Sequence, residues 1–338
     1  MDYILNKYFD RVDDVITKPL TQGHINSTYE VYLDQNKYIL QRLNTSIFKN
    51  PDVIVSNILA VSQHLKSKNY QKGIINVLPN LNGNYLTYVD GETWRLTNYI
   101  SDSVCHDKVL SKEQAFEAAK TISQFHRLML DLPIEKIKPS IDGFLDFKKR
   151  VNDFNSALEN GNSERKNIAI EQIDYINEHL HLIDQYLAID FPTRLVHADA
   201  KISNFLFHEN DELEVTALID WDTFIPGNIF CDFGDMIRTY SNLKAEDDAN
   251  AEDNFSFEYY QAVKEGFLSD LKDVISEDEL KAIDLSAFVV ILIQAIRFLT
   301  DYLNNDTYYH TSRENQNLDR TINQINLLKS IEEAKCIA

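Results

Sequence analysis

The chain has 338 residues, with 33 Lys or Arg, 53 Asp or Glu and a formal net charge of −20. Neutralising the phosphates of DNA, RNA or an anionic membrane needs Lys and Arg, so this charge argues against nucleic-acid and membrane partners, although a small phosphate compound can still be held locally. The length predicts about two lobes, and the scarcity of Gly (9) and Pro (7) predicts no long linker between them.

Neither cysteine usage nor apolar patterning points to secretion or to a membrane. The three cysteines, Cys105, Cys231 and Cys336, show no metal-ligand spacing. An odd cysteine count and an acidic, amphipathic N-terminus unlike a secretory signal predict a cytoplasmic protein. The longest apolar run, 285–299, is interrupted by Gln294 and Arg297, and we expect it to form a buried helix.

The first hundred residues predict a mostly antiparallel sheet with one inserted helix. Residues 1–16 carry apolar side chains at helical spacing, which predicts a helix at the start of the chain. Alternating apolar residues on both sides of a turn at residues 34–36 predict a hairpin. A helix is expected over 48–66, with Pro51 near its start. Further short strands are expected over 76–78, 85–89 and 94–99.

After residue 101 the pattern becomes mainly helical. Helices are expected over 112–130, 144–158 and 163–187, and again from residue 233 onward. An early antiparallel sheet followed by a helical half predicts an α+β fold with two lobes. We place the N-terminal lobe at 1–100, ending in the connection between the lobes, and the larger, mainly helical C-terminal lobe at 101–338.

The stretch between these helices carries the most informative pattern. Two apolar strands, 205–207 and 215–219, flank a polar turn and predict a hairpin. Asp199 and Asn204 lie just before its first strand, and Asp220 ends its second strand. Because the two strand ends meet on one side of a hairpin, we expect three oxygen-bearing side chains to converge there.

This arrangement suits phosphoryl transfer to a hydroxyl group. That reaction uses a carboxylate to accept the hydroxyl proton, an Asn oxygen for one magnesium ion, and a second carboxylate for magnesium at the phosphates. The spacing His-x-Asp-x-x-x-x-Asn is present as His197, Asp199 and Asn204. Lys201 follows two residues after Asp199, where an ammonium group can meet the transferred phosphoryl group.

A second Asp competes for the magnesium role. Asp232-Phe233-Gly234 spells the magnesium-binding triplet of protein kinases. However, Asp220 ends the hairpin strand, whereas Asp232 lies beyond a further Pro-Gly turn, at the start of the next helix. We therefore assign magnesium to Asn204 and Asp220, and expect Asp232 to be a helix N-cap or a brace beneath the catalytic loop.

These motifs resemble the aminoglycoside phosphotransferase / choline kinase superfamily, which has a protein-kinase-like fold. Its metal-binding Ile-Asp-x-x motif is matched by residues 219–222, IDWD. Within the superfamily, the stretches GHINSTYEV, YILQRLNTSIFKNP, HADAKISNFLF, IDWDTFIPG, DFGDMIR and IRFLTDYLNND are most similar to N-acetylhexosamine 1-kinase-like proteins. The resemblance implies an ATP- and Mg²⁺-dependent kinase for the anomeric hydroxyl of an N-acetylhexosamine. Asp222 is then a further metal contact or a loop hydrogen-bonding residue.

The resemblance also implies a nucleotide site in the N-terminal lobe. We expect the loop 21–29, which has one Gly where kinases have three, to contact the nucleotide phosphates. We expect the adenine to contact the connection between the lobes. The nucleotide-site candidates are Gly23, His24, Asn26, Ser27, Arg42, Asn98 and Tyr99. The third strand has no Lys at the usual position: Arg42 supplies the cation there, or Gln41 fills the position without charge. The helix 51–66 has no Glu to pair with such a cation.

Three polar residues of the C-terminal lobe are candidates for acceptor binding: Arg238, Arg297 and Asp301. Arg297 lies in an apolar helix, and Asp301 follows at i+4, so an intrahelical pair is the alternative. The rival functions are a kinase for an aminoglycoside, choline or another hydroxyl acceptor, and a nucleotide-binding pseudokinase. No obligate protein partner is indicated.

Overall fold

A computed structural model describes residues 1–20, 25–250 and 254–334. The chain divides into two compact units, each built from several chain segments. The first unit comprises Met1–Cys105, Leu128–Phe144 and Asn204–Pro226, and the second comprises His106–Arg127, Leu145–Ser203 and Gly227–Ala338. The first unit therefore contains the sheet-forming residues of the predicted N-terminal lobe together with two later segments.

The first unit is built on an antiparallel sheet with one long helix. Its strands are β1 (Ile16–Leu20), β2 (Ser27–Leu33), β3 (Asn36–Leu43), β4 (Val77–Leu78), β5 (Thr87–Val89) and β6 (Glu92–Asn98). The order is β1-β2-β3-β6-β4, with β5 also paired to β6, and every pairing is antiparallel. Helix α2 (Pro51–Ser67) begins at a proline, which suits the first helical position because proline lacks an N–H.

The register of β3 against β6 decides which side chains share a face. Gln41 lies opposite Arg95, and Arg42 lies opposite Trp94. Successive side chains of a strand point to opposite faces, so Gln41 and Arg95 share one face and Arg42 lies on the other. The turn that joins β2 to β3 places Asp34 at φ 54°, a left-handed conformation that Asp tolerates. The hairpin predicted here is confirmed.

The helix predicted over residues 1–16 is mostly wrong. Helix α1 covers only Asp2–Leu5, and β1 begins at Ile16. The apolar residues of this segment instead cover one face of the sheet: Ile4, Leu5 and Tyr8 are buried in one cluster with Trp94. Their spacing serves contact with the sheet, which explains why periodicity alone suggested a longer helix.

A second, three-stranded sheet of the first unit positions the candidate metal ligands. Its strands are β7 (Ser103–Cys105), β9 (Phe205–His208) and β10 (Asp211–Leu218), in the order β10-β9-β7. Strand β8 (Arg194–Val196) comes before them in the chain, and β11 (Ile225–Gly227) follows. The predicted hairpin is confirmed as β9 and β10. Sequence periodicity did not indicate β7.

Helices dominate the second unit. In chain order they are α3 (Lys112–Met129), α4 (Phe147–Asn160), α5 (Ser163–Ile168), α6 (Ile170–Leu187), α7 (Phe230–Tyr240), α8 (Phe257–Leu268), α9 (Glu277–Lys281), α10 (Ile283–Leu303) and α11 (Gln316–Glu333). Among the described residues, α10 is the one helix long and apolar enough to cross a membrane, and 67% of its most apolar window is buried within the protein. It packs against α4, α7 and α11. The predicted α+β class and the predicted buried helix are confirmed.

Candidate functional site

The hairpin of the first unit brings two predicted metal ligands to one end. Phe205 pairs with Leu218, and the backbone N–H of Ile219 donates to the carbonyl of Asn204 at 2.8 Å. Asn204 and Asp220 therefore extend from neighbouring strand ends. Asp220 has φ 61° and begins a 3-10 turn, Trp221–Thr223, which turns the chain away from the strand.

The donor set at this hairpin end suits Mg²⁺ better than a transition metal. It combines the amide oxygen of Asn204 with the carboxylate of Asp220, and Mg²⁺ prefers such hard oxygen ligands. Across the described ranges, no group of three or more His, Cys, Asp or Glu is arranged to hold a metal. A site with one carboxylate and one amide leaves positions for water and substrate phosphates, as is usual for Mg²⁺ at phosphates.

The predicted base lies on a short loop of the second unit. Asp199 is partly exposed, and its Oδ2 lies 2.9 Å from Nζ of Lys201, whose side chain is also partly exposed. The neighbouring His197 and Ala200 are fully buried. The loop therefore anchors its ends in the interior and presents a carboxylate and an ammonium group to solvent.

The buried carboxylate of Asp232 holds the first residues of this loop. Its Oδ2 accepts from the backbone N–H of His197 at 2.8 Å, and its Oδ1 accepts from the N–H of Ala198 at 2.6 Å. His126 Nε2 lies 3.0 Å from the same carboxylate, and both side chains are fully buried. Helix α7 has Ile229 at its N-cap, so Asp232 is not a cap. Of the two expected roles, the structure supports the brace.

Arg238 and Asp235 form a buried charged pair one turn further along α7. Arg238 donates to Oδ1 of Asp235 from Nε at 3.0 Å and from Nη2 at 2.9 Å, and its Nη1 donates to Glu246 at 2.9 Å. Oδ2 of Asp235 is buried with no hydrogen-bond partner among the described residues. Burial raises the pKa of Asp235 and is opposed by Arg238, while the negative charges of Asp199 and Asp232 add to the rise.

The other two acceptor candidates have different surroundings. Arg297 donates from Nη1 to Gln294 at 2.9 Å, and its guanidinium lies 5.6 Å from the ring centre of Tyr309. Asp301 is buried and accepts four hydrogen bonds. Its donors are the backbone N–H groups of Thr307, Tyr308 and Tyr309 and the side chain of Asn317. Asp301 thus closes the loop that follows α10.

The nucleotide-site candidates of the first unit are dispersed. Arg42 is exposed, pairs with Glu92 at 2.6 Å and donates to Ser27 at 3.0 Å. The side-chain oxygen of Asn26 accepts from the backbone N–H of Asn44 at 3.0 Å. Gly23 and His24 lie outside the described residues. Arg42 and Ser27 line a depression of about 390 Å³ on this unit.

The two candidates at the end of β6 contact neighbouring chain segments. Asn98 accepts from the backbone N–H of Asn76 at 2.7 Å and donates to the carbonyl of Ile74 at 3.1 Å. The ammonium group of Lys37 lies 5.1 Å from the ring centre of Tyr99. Asn98 therefore ties β6 to the segment before β4.

Asp222 has a partner that the sequence did not suggest. Its Oδ1 lies 2.6 Å from Nη1 of Arg95, and its Oδ2 accepts from Asn26 at 2.8 Å. Gln41 accepts from Arg95 twice, from Nε at 2.9 Å and from Nη2 at 2.7 Å. These contacts engage both oxygens of Asp222, which fits its expected role as a loop hydrogen-bonding residue.

Sequence reasoning missed three residues of these clusters: Arg95, His126 and Asp235. Asp235 stands three residues before Arg238 in a helix, and this spacing was an available signal for an ion pair. Arg95 follows Trp94 in a strand predicted as sheet core, where a charged residue needs a partner. Nothing in the sequence near His126 indicated its contact with Asp232.

Comparison with solved structures supports a kinase-type fold. A microcompartment-associated aminopropanol kinase is 15% identical, with a TM-score of 0.64, and the match covers 99% of this chain and 98% of that one. An aminoglycoside phosphotransferase from Alicyclobacillus acidocaldarius is 14% identical, with a TM-score of 0.65 and coverage of 99% and 96%. A spectinomycin phosphotransferase, solved with ADP and spectinomycin, is 13% identical, with a TM-score of 0.61 and coverage of 94% and 93%.

The sequence also matches a family model over most of its length. The model describes a phosphotransferase enzyme family and matches residues 16–265, which include the hairpin, the loop of Asp199 and helix α7. The fold expected from the superfamily resemblance is therefore confirmed, while the acceptor is left open. The chain belongs to the phosphotransferase enzyme family and is a phosphotransferase that acts on a hydroxyl group.

Proposed function

We propose that the protein is a cytoplasmic kinase that transfers the γ-phosphoryl group of ATP to a sugar hydroxyl, with Mg²⁺ as the metal. The preferred acceptor is the anomeric hydroxyl of an N-acetylhexosamine, and the product is the sugar 1-phosphate. The observation that carries the proposal is the pairing of the two strand ends that bear Asn204 and Asp220, with Asn204 five positions after Asp199 in the chain.

Each residue has a defined chemical role. Asp199 orients the acceptor hydroxyl and accepts its proton as the bond from oxygen to the γ-phosphorus forms and the bond from that phosphorus to ADP breaks. Lys201 places a positive charge beside this carboxylate, where it can neutralise the transferred group. Asn204 and Asp220 supply oxygen ligands for Mg²⁺, which neutralises charge on the nucleotide phosphates.

The loop of Asp199 is suited to a base because two hydrogen bonds to Asp232 hold its first residues. Asp232 fixes two consecutive backbone N–H groups at the start of the loop, and a positioned base is more effective than a mobile one. The partial exposure of Asp199 lets a substrate reach it.

The charges near Asp199 support a polar acceptor rather than an apolar one. Asp235 and Arg238 both interact electrostatically with Asp199. Together they offer a carboxylate acceptor and guanidinium donors, a mixed set that suits the hydroxyl and acetamido groups of a sugar. The strongest support for N-acetylhexosamine is the resemblance of the stretches around residues 38–51 and 296–306 to that group of kinases.

One observation favours a second candidate, an amino alcohol. Oδ2 of Asp235 is buried without a hydrogen-bond partner among the described residues, and an ammonium group would satisfy it. The match to an aminopropanol kinase supports this candidate. Arg238 weakens this candidate, because its pairing with Oδ1 of Asp235 already offsets part of the attraction of that carboxylate for a cation.

A product analysis separates the two candidates. The protein is incubated with ATP, Mg²⁺ and one of N-acetylglucosamine, N-acetylgalactosamine, aminopropanol, choline or kanamycin, and phosphorus NMR identifies the product. We expect a sugar 1-phosphate, and no product from a 1-methyl glycoside, which has no free anomeric hydroxyl. Phosphorylation of the glycoside, or of the amines alone, contradicts the sugar assignment, and no turnover with any acceptor contradicts a kinase of these substrates.

A further inference from the structure

The structure assigns a positioning role to Arg95. We propose that Arg95 holds Asp222 and thereby fixes the turn that begins at the predicted metal ligand Asp220. The pair of Arg95 and Asp222 takes the place of the ion pair that protein kinases form between a lysine of the third strand and a glutamate of the following helix. This inference rests on the proposed role of Asp220 in binding metal and nucleotide.

The faces of the sheet exclude the other cation from this role. Arg42 lies opposite Trp94, whose side chain packs with the N-terminal residues Ile4 and Tyr8. Arg95 lies on the reverse face, where it contacts Asp222. Because alternate residues of a strand point to opposite faces, Arg42 cannot reach the turn after Asp220 from its position.

The third strand still contributes, through a neutral side chain. Gln41 is the residue of this strand that lies opposite Arg95 on the same face, and its Oε1 accepts two hydrogen bonds from Arg95. Its Nε2 donates to Thr28 at 3.3 Å, which links the group to β2. The fork between Gln41 and the guanidinium leaves Nη1 directed at Asp222. Arg95 is therefore held in one orientation by its neighbour across the strands.

Helix α2 lacks the usual counter-ion and is tied to the same turn in a different way. Its residues include no glutamate. Instead, Nδ2 of the buried Asn57 donates to the carbonyls of Lys138 at 2.8 Å and of Phe224 at 3.3 Å. The turn after Asp220 is thus held from the sheet by Arg95 and from the helix by Asn57.

Burial explains why this pair fixes the turn firmly. Arg95 is 3% exposed and Asp222 is 1% exposed. Loss of one member leaves a buried charge without its partner, which is strongly unfavourable. Only Trp221 separates Asp222 from Asp220, so a displaced Asp222 moves the metal ligand as well. A group that orients a ligand in this way usually changes metal affinity when it is removed.

The test measures nucleotide binding in the full-length protein rather than turnover alone. Calorimetric titration of a non-hydrolysable ATP analogue, with Mg²⁺ and with EDTA, gives the gain in affinity due to the metal. We expect Arg95→Met to reduce this gain by about 10-fold or more, with metal-free affinity unchanged. The double variant Arg95→Met/Gln41→Lys, which returns a cation to the third strand on the same face, should recover part of the gain.

A matched control separates positioning from general stability. Arg165→Met removes a different ion pair, with Asp306 at 2.6 Å, and should leave the gain unchanged. If Arg95→Met does not fold, Gln41→Leu, which keeps both charges but removes the fork, should reduce the gain. The inference is overturned if folded Arg95→Met or Gln41→Leu keeps the full gain in nucleotide affinity due to Mg²⁺. It is also overturned if either variant loses the same factor of nucleotide affinity with Mg²⁺ and with EDTA. If the wild-type protein shows no gain with Mg²⁺ at all, the metal site of the proposed function fails with it.

Discussion

The carboxylate of Asp232 accepts a hydrogen bond from the backbone N–H of His197 at 2.8 Å, across 35 positions of the chain. A second bond, from Ala198, holds a residue whose φ is 66°, a left-handed conformation that is unfavourable for alanine. Strained backbone of this kind persists only where its surroundings determine it. Asp232 thus fixes the conformation of the loop that presents Asp199.

Asp232→Ala should lower the free energy of unfolding by about 2–4 kcal/mol, because two backbone N–H groups and the neighbouring His126 lose a buried charged partner. Urea denaturation measures this change. Asp232→Asn keeps one acceptor oxygen and should lie between the wild type and the alanine variant. A loss of only about 1 kcal/mol in Asp232→Ala, the size expected of a helix cap, would contradict the bracing role.

Asp199→Asn should reduce kcat by about 100-fold or more, because the amide cannot accept the proton of the acceptor. The partial exposure of Asp199 predicts little change in melting temperature. Steady-state kinetics give the first result, and calorimetric binding of an ATP analogue should match the wild type. Turnover like that of the wild type would exclude Asp199 as the base.

Asp220→Asn should weaken Mg²⁺-dependent binding of an ATP analogue by about 10-fold or more, because it removes a charged metal ligand. Asparagine tolerates the left-handed backbone at this position, whereas Asp220→Ala should cost about 1 kcal/mol of stability in addition. Thermal melts and titrations with and without Mg²⁺ measure the two effects separately. Asp232→Asn serves as the comparison: if it abolishes Mg²⁺-dependent binding while Asp220→Asn does not, the metal assignment is reversed.

The sequence was sufficient for features that depend on residues close together in the chain. The hairpin of β9 and β10 follows from two apolar runs around a polar turn, and its pairing brings Asn204 and Asp220 to one end. The same hairpin was the reason for preferring Asp220 to Asp232 as the predicted magnesium ligand. Asp220 ends a hairpin strand, whereas Asp232 lies beyond the hairpin. Helices α2 and α3 followed from apolar periodicity and, for α2, from the proline at its start.

Features that depend on distant residues were not predictable from the sequence. Arg95 and Asp222 are separated by more than a hundred positions, and nothing local to either indicates their pairing. The face occupied by Arg42 follows from the register of β3 against β6, which local patterns do not determine. The apolar residues of the first segment have helical spacing but pack against the sheet, so periodicity was misleading there.

The stability of the wild type should fall relative to Asp235→Asn as the pH rises from about 4 upward. Burial raises the pKa of Asp235 in the folded state, Arg238 opposes the rise, and the charges of Asp199 and Asp232 add to it. A carboxyl with a raised folded pKa stabilises fully below its unfolded pKa, and this contribution is lost as the pH rises through the folded pKa. Thermal melts from pH 4 to 7 measure the difference between the two proteins.

An exposed carboxylate, Asp273, serves as a control because its stability contribution should depend on pH in the opposite direction. The hydrogen bond from Arg127 lowers the pKa of Asp273, so Asp273 stabilises the fold above its unfolded pKa and loses this effect as the pH falls. The wild type should therefore gain stability relative to Asp273→Asn over the same rise in pH. A difference between wild type and Asp235→Asn that does not change with pH would show that Asp235 titrates normally.

Arg297 and Asp301 lie four residues apart in α10, and the structure predicts different consequences for their loss. Asp301→Ala should lower the free energy of unfolding by about 3 kcal/mol or more, because four donors lose a buried acceptor.

Arg297→Ala should instead raise KM for the acceptor sugar more than KM for ATP, since its proposed contact is with the acceptor. Urea denaturation and initial rates at varied sugar and ATP distinguish the two. A matched comparison is Arg297→Lys, which keeps the charge but not the forked donors and should recover little of the sugar KM if the fork binds acetamido or hydroxyl oxygens. Equal increases in both KM values, or a loss of stability without any change in the sugar KM, would remove Arg297 from the acceptor site.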